Sequence, residues 1–150
     1  MPKPFARVEG DKKLIKQLKR LGSVKVAKRV LRKAVNAASQ EVVKAVRRNA
    51  PVDTGTYKIA ATKKVVGSDF NYTGIIGADA KAKGPVVDGA TRIPANYDHL
   101  IEYGYQLADG TNVPAQAPLR KGFEQAAPAA QRRLNEKLKE GIEREAAKGK

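Results

Sequence analysis

The most extended hydrophobic pattern in the chain is helical. From Val24 to Asn49, the residues Ala27, Val30, Leu31, Ala34, Ala38, Val42, Ala45 and Val46 recur at spacings of three and four, which places them on one stripe of a 3.6-residue period. The opposite face carries Lys25, Lys28, Arg29, Arg32, Lys33, Lys44, Arg47 and Arg48. Ser23 is placed to accept a first-turn N–H as the N-cap. Pro51 stops the helix, because the residue before a proline is driven out of the α region. A shorter helix precedes it, with Leu14, Leu18 and Leu21 on one side, Asp11 as its cap and Gly22 as its stop. A third runs from Pro118 to about residue 147, with Leu119, Phe123, Ala126, Ala127, Ala130, Leu134, Leu138 and Ile142 on one side. Pro128 inside it predicts a kink or a split.

The middle of the chain changes character. Thr56–Val66 and Tyr72–Ala78 are rich in strand-forming residues around a turn at Gly67-Ser68-Asp69, although Thr56–Ala61 fits one more helical turn equally well. Residues 79–96, with Gly84, Pro85, Gly89 and Pro94, read as one long loop. Tyr97–Tyr105 brings back apolar residues and reads as a further strand, and Pro114 and Pro118 bracket a short extended piece. The order predicts an α+β fold in which a long N-terminal amphipathic helix and a C-terminal helix pack on a small antiparallel sheet. The expected organisation is a flexible arm over 1–10, a single domain over 11–147 and a tail at 148–150.

Composition limits the chemistry. Only 5% of the 150 residues are aromatic and none is Trp, so the core must be built largely from Ala and Val. With no Cys, disulfides, thiol catalysis and Cys-based zinc sites are excluded. Neither a signal peptide nor a run of about 18 apolar residues is present, so a soluble protein made in a reducing cytoplasm, with no membrane partner, is expected. His99 is the single histidine, the carboxylates Asp69, Asp79, Asp88 and Asp98 are scattered, and no phosphate-loop glycine pattern occurs. No enzyme activity, cofactor or metal is predicted.

Charge points to partners instead. The formal net charge is +15, and residues 1–50 hold 15 Lys and Arg against 3 Asp and Glu. Lys12, Lys13, Lys16, Lys19, Arg20, Lys25, Lys28, Arg29, Arg32 and Lys33 form a basic face on the first two helices. Such a face can follow nucleic-acid phosphates by counterion release, meet an acidic protein, or simply remain solvated. No aromatic base-reading strand accompanies it, so any nucleic-acid contact would be to the backbone without sequence preference.

Three short runs carry a family resemblance. Asn49-Ala50-Pro51-Val52-Asp53-Thr54-Gly55-Thr56-Tyr57, at the end of the long helix, resembles an "aPvdTG" junction. Tyr97-Asp98-His99-Leu100-Ile101-Glu102-Tyr103-Gly104 resembles a "Ya-hl-vEfGt" element, and Ala115–Phe123 around Pro118 resembles an "aqPflrpA" entry into the last helix. In this order, over roughly residues 10–145, they resemble the tail-completion or head–tail joining (minor neck) family of long-tailed bacteriophages, of the lambdoid type. Tyr105 stands where that family usually has Thr, and Leu119 where it has Phe.

The resemblance implies a homo-oligomeric ring in the phage neck or upper tail. Such a ring would contact neighbouring neck rings and tail-tube or tail-terminator proteins, and genome DNA in the channel is a further candidate partner. It implies assembly in the host cytoplasm and a place in the virion. The residues also have roles of their own. Pro51 stops a helix, Asp53 and Thr54 can accept backbone N–H groups, and Gly55 permits a left-handed φ. Glu102, between Ile101 and Tyr103, is expected to pair with an Arg or Lys if it is buried, either within the chain or across a subunit boundary.

Overall fold

The computed structural model describes residues 12–52 and 55–148. The proposed arm at 1–10, the Asp11 cap, Asp53, Thr54 and residues 149–150 lie outside the described residues.

Helix α1 (Lys12–Lys19) is followed by α2 (Val24–Asn49) and a short α3 (Thr56–Ala60). Strands β1 (Ala61–Ser68) and β2 (Asn71–Ala78) form a hairpin, and β3 (Val86–Val87) and β4 (Ala90–Thr91) a second. A single 3-10 turn at Pro94–Asn96 leads into α4 (Asp98–Tyr103). The third hairpin, β5 (Tyr105–Gln106) with β6 (Asn112–Val113), precedes α5 (Pro118–Lys148). The fold is α+β, with its antiparallel strands divided among three two-stranded hairpins instead of one sheet.

The chain forms two compact units, and α2, the β1–β2 hairpin and α5 each contribute to both. The first unit contains α1, α2 up to Glu41, the hairpin tip 64–75 and α5 from Ala126. Its core is Leu18, Ala27, Val30, Leu31, Ala34 and Ala38 with Ala126, Ala130, Leu134 and Leu138. Ser23 caps α2 as its position suggests, its Oγ accepting from Val26 N at 3.4 Å and its carbonyl accepting from Ala27 N at 3.0 Å.

The hairpin tip differs from expectation. The two-residue loop is Asp69-Phe70, both in left-handed φ (49° and 69°), not Gly67-Ser68-Asp69. Two left-handed central residues match the right-handed twist of the flanking strands, but a phenylalanine adopts that conformation at a cost. Tertiary contacts hold it. Lys28 Nζ donates to Asp69 Oδ1 at 2.6 Å, and Lys19 Nζ lies 5.8 Å from the Phe70 ring centroid.

The second unit contains the end of α2 from Val42, α3, residues 76–117 and the first eight residues of α5. Val42, Val43, Ala45, Val46, Ala50, Tyr57, Ala60, Ala61 and Ala117 are buried in it. Arg47 clamps the end of α2 to the start of β1, donating through Nε at 3.2 Å and a terminal nitrogen at 2.9 Å to the Ala61 carbonyl. Asn49 Nδ2 donates both to Ala45 O and to Gln125 Oε1, each at 2.8 Å, joining α2 to α5.

Three further sequence expectations are corrected in this fold. Residues 79–96 are not one featureless loop: Asp88-Gly89 (φ 51° and 77°) close the β3–β4 hairpin, with Val86 opposite Thr91 and Val87 opposite Ala90. Residues 98–103 are helix, not strand, because both Leu100 N and Ile101 N turn back to the Tyr97 carbonyl. Pro128 does not split α5, which runs unbroken through it. Pro128 is exposed, and the Ala126, Ala130, Leu134 and Leu138 stripe stays buried around it.

Candidate assembly interface

The motif residues of the second unit form a lock at the start of α5. An α-helix leaves its first N–H groups without intrahelical acceptors. Here each has a solution. Pro118, at the first helical position and buried, has no N–H to satisfy. Leu119 N donates to Glu102 Oε2 at 2.9 Å and Arg120 N to Glu102 Oε1 at 3.0 Å. Lys121 N begins the helical ladder on Ala117 O at 2.9 Å. Glu102 is 6% exposed.

Within the chain, the Glu102 carboxylate is therefore held by the positive end of a helix, in the place that an Arg or Lys of the same chain was expected to take. Both serve the same need, since a buried carboxylate must be hydrogen-bonded or neutralised.

A second set of bonds fixes the same corner. The Ile101 carbonyl accepts from Gln116 N at 2.9 Å and Ala117 N at 3.2 Å. Gly104 ends α4 at φ 75°, and a Cβ there would lie 2.6 Å from Val113 O and 2.8 Å from Ala115 N. No other residue fits without moving that backbone. Beyond the lock, the Tyr103 side chain is 75% exposed and Tyr105 and Leu107 are also exposed.

The other junction motif is placed as follows. Pro51 follows α2, half-buried, and Gly55 takes φ 70° immediately before α3, its carbonyl accepting from Ile59 N at 3.2 Å. Two residues on lies Tyr57, which sequence reasoning left as part of a motif. It is 4% exposed, and its hydroxyl has no hydrogen-bond partner among the described residues. Burial first, then the charges of Asp98 and Glu102, pushes the phenol well above its ordinary value.

Tyr57→Phe is expected to stabilise the protein by about 1 kcal/mol, a rise of roughly 2–4 °C in Tm, because it removes an unpaired buried hydroxyl while keeping the ring. The native phenol resists ionisation while that of the unfolded chain ionises near its ordinary value of 10.0. Stability conferred by Tyr57 is therefore whole below that pH and falls as pH rises through it. The Phe variant should lose this alkaline decline, as thermal melts at pH 8 and pH 11 would register.

The ten basic candidates all fall in the first unit, Lys12, Lys13, Lys16, Lys19 and Lys25 through Lys33 on α1 and α2, and Arg20 just after α1. They do not share one role. Lys28 pairs with Asp69, whose hydrogen bond holds the Asp69 carboxyl below its ordinary range. Lys19 faces Phe70, and Arg29 lies 4.0 Å from Glu145. Lys12, Lys16, Arg20, Lys25, Arg32 and Lys33 are exposed and have no acidic partner among the described residues.

Sites for chemistry are not assembled in the same way. Among the described residues, no group of three or more His, Asp or Glu could hold a metal ion, and His99 is exposed on α4. No described helix is long and apolar enough to cross a membrane. An open groove of about 410 Å³ in the first unit is lined by Lys13, Leu14, Gln17, Lys139, Ile142 and Glu143, which converge on no common point of chemistry.

Residues 12–104 match the sequence model of the HK97-gp10-like family, described as "Bacteriophage HK97-gp10, putative tail-component". The match spans more than half of the chain, and the protein belongs to this family of phage tail components. Its setting is accordingly the virion, among other virion proteins. No curated protein and no solved structure matches the chain.

Proposed function

We propose that the protein is a ring-forming subunit of the phage neck or upper tail, which completes the tail and joins it to the DNA-filled head. The observation that carries this reading is the family match over residues 12–104. The Ala115–Phe123 element beyond the match continues the order of motifs expected of head–tail joining proteins. The corner at Glu102 and Pro118 supports it physically, since a subunit that seats against neighbours needs its contact surface fixed before contact.

Native mass spectrometry of the purified chain, alone and with purified tail tubes, tests this directly. A closed homo-oligomer, or stoichiometric docking on tube ends, is the expected result. A chain that stays monomeric and leaves tube ends bare would overturn it.

A second reading rests on the six exposed cations of the first unit, namely a protein that binds nucleic acid without sequence preference. It requires tight binding to arbitrary duplex DNA and a log K that falls steeply with log[salt], by about 0.9 per phosphate neutralised. Weak, shallow binding by a ring-forming chain would favour the neck reading.

A further inference from the structure

We propose that the surface formed by residues 98–113 of the second unit docks on the basic α1–α2 helices of a second copy of this chain. The inference rests on the ring reading above and names the contact by which such a ring would grow.

The first reason is an apolar anchor. Tyr103 (75% exposed), Tyr105 (41%) and Leu107 (44%) stand out within five residues of one another. Tyrosines contribute a large contact area and lose little side-chain freedom when immobilised, which makes them common anchors of protein interfaces.

The backbone that presents them is already ordered. Leu107 N donates to Thr111 O at 2.8 Å, Gly110 N to Leu107 O at 2.9 Å, and Thr111 N to Asp109 Oδ1 at 2.9 Å. Tyr105 pairs with Val113 and Gln106 with Asn112. With the Glu102 lock behind it, this surface has little conformational entropy left to lose on binding.

The second reason is charge. The chain has 30 Lys and Arg in 150 residues, one in five, yet none falls between Ile93 and Leu119. That stretch instead carries Asp98, Glu102 and Asp109. Asp109 is exposed, and hydrogen bonds from Thr111 favour its charged form. A cation-free surface with carboxylates and exposed tyrosine rings suits Lys and Arg, through ion pairs at its rim and cation–π contacts at its centre.

The complementary surface is present on the same chain. Lys12, Lys16, Arg20, Lys25, Arg32 and Lys33 are exposed without acidic partners among the described residues. Pairing two basic faces is repulsive, which disfavours a two-fold dimer through α1 and α2. Pairing unlike surfaces is heterologous, and a heterologous contact is the kind that propagates into a ring.

The absence of native cysteine allows a clean test. Asp109→Cys protein would be mixed with Arg20→Cys, Lys25→Cys or Arg32→Cys protein, under conditions where the native chain forms its oligomer, and treated with a short bis-maleimide. Cross-linked heterodimers from the mixtures, well above homodimers from either protein alone, are expected. In parallel, Tyr103→Ser/Tyr105→Ser should keep its circular dichroism spectrum and Tm but need at least tenfold more protein to assemble.

Rings that persist in the folded double variant at native concentrations, or that give no cross-link at any of the three positions, would overturn this contact and leave the ring reading standing. If the native chain forms no oligomer even on tail tubes, the ring reading falls and this inference with it. If Arg20→Glu/Arg32→Glu abolishes binding to duplex DNA but leaves the ring intact, the basic face serves DNA and the proposal is wrong.

Discussion

Gly122→Ala is expected to lower stability by about 2 kcal/mol, although the same change in an ordinary helix interior raises it by about 1 kcal/mol. The sign reverses because of what lies opposite. A Cβ on Gly122 would sit 2.6 Å from Val46 N, 2.7 Å from Val46 Cγ2 and 2.8 Å from Val46 Cα. Two of those three atoms belong to the α2 backbone, so the clash cannot be relieved by turning a side chain. The α5 segment must move away from α2, loosening Val46 and Ala45, both almost fully buried, and stretching the Asn49–Gln125 contact. Overpacking of this kind costs roughly 1–3 kcal/mol for one added carbon and rises with size.

A comparison within the same helix separates backbone clash from simple crowding. At Gly141 the three atoms nearest to an added Cβ all belong to the side chain of Val30. Gly141→Ala should therefore cost less than Gly122→Ala, and Gly122→Val should cost more than either. For a chain of this size, 2 kcal/mol corresponds to a fall of roughly 4–8 °C in Tm. Thermal melts followed by helical circular dichroism would rank the three. An Ala variant at 122 that melts at or above the native temperature would mean that the helices do not hold this spacing.

The long helices were legible because their information is local. A stripe at 3.6-residue period needs only neighbours in sequence, and all eight apolar positions that it assigns to α2 are buried. The Asp88-Gly89 hairpin was also legible in principle: Asp-Gly between Val86-Val87 and Ala90-Thr91 is a strong two-residue turn signal, obscured by the surrounding glycines and prolines.

Helix α4 could not be found in the same way, because its one buried residue is Glu102 and a search for apolar periodicity passes over it. The Asp69-Phe70 loop was hidden for a related reason: what stabilises a left-handed Phe70 is Lys19 and Lys28, some forty to fifty residues earlier. The candidate surface divides similarly. Sequence identified the cations and the motif residues, but it could not show that Lys28 is engaged with the hairpin, that Lys19 lies over Phe70, or that Glu102 caps a helix.

The effect of changing Glu102 follows from that capping role. Glu102→Ala leaves the amides of Leu119 and Arg120 without their acceptors, at 2.9 and 3.0 Å, in a corner from which solvent is largely excluded. Hydrogen bonds to a charged group contribute about 1.5–3 kcal/mol each, so a loss of roughly 3–5 kcal/mol is expected, a large part of the stability of a domain this size. Glu102→Gln keeps one carbonyl acceptor but turns an NH2 group towards the second amide, donor against donor, and should lose about 2 kcal/mol. Glu102→Asp keeps the charge but is one methylene short of the helix end, and should fall between Gln and the native residue. Urea titrations would give the order native, Asp, Gln, Ala in midpoint. An ion pair with Arg or Lys predicts something different, because a lysine or arginine would then exist whose removal costs as much as Glu102→Gln. Arg120→Ala tests one such candidate: it deletes the side chain and keeps the N–H that Glu102 uses, and it should leave the midpoint almost unchanged. A large loss there, with Glu102→Gln near native, would restore the ion-pair account and remove the helix end as the partner of Glu102.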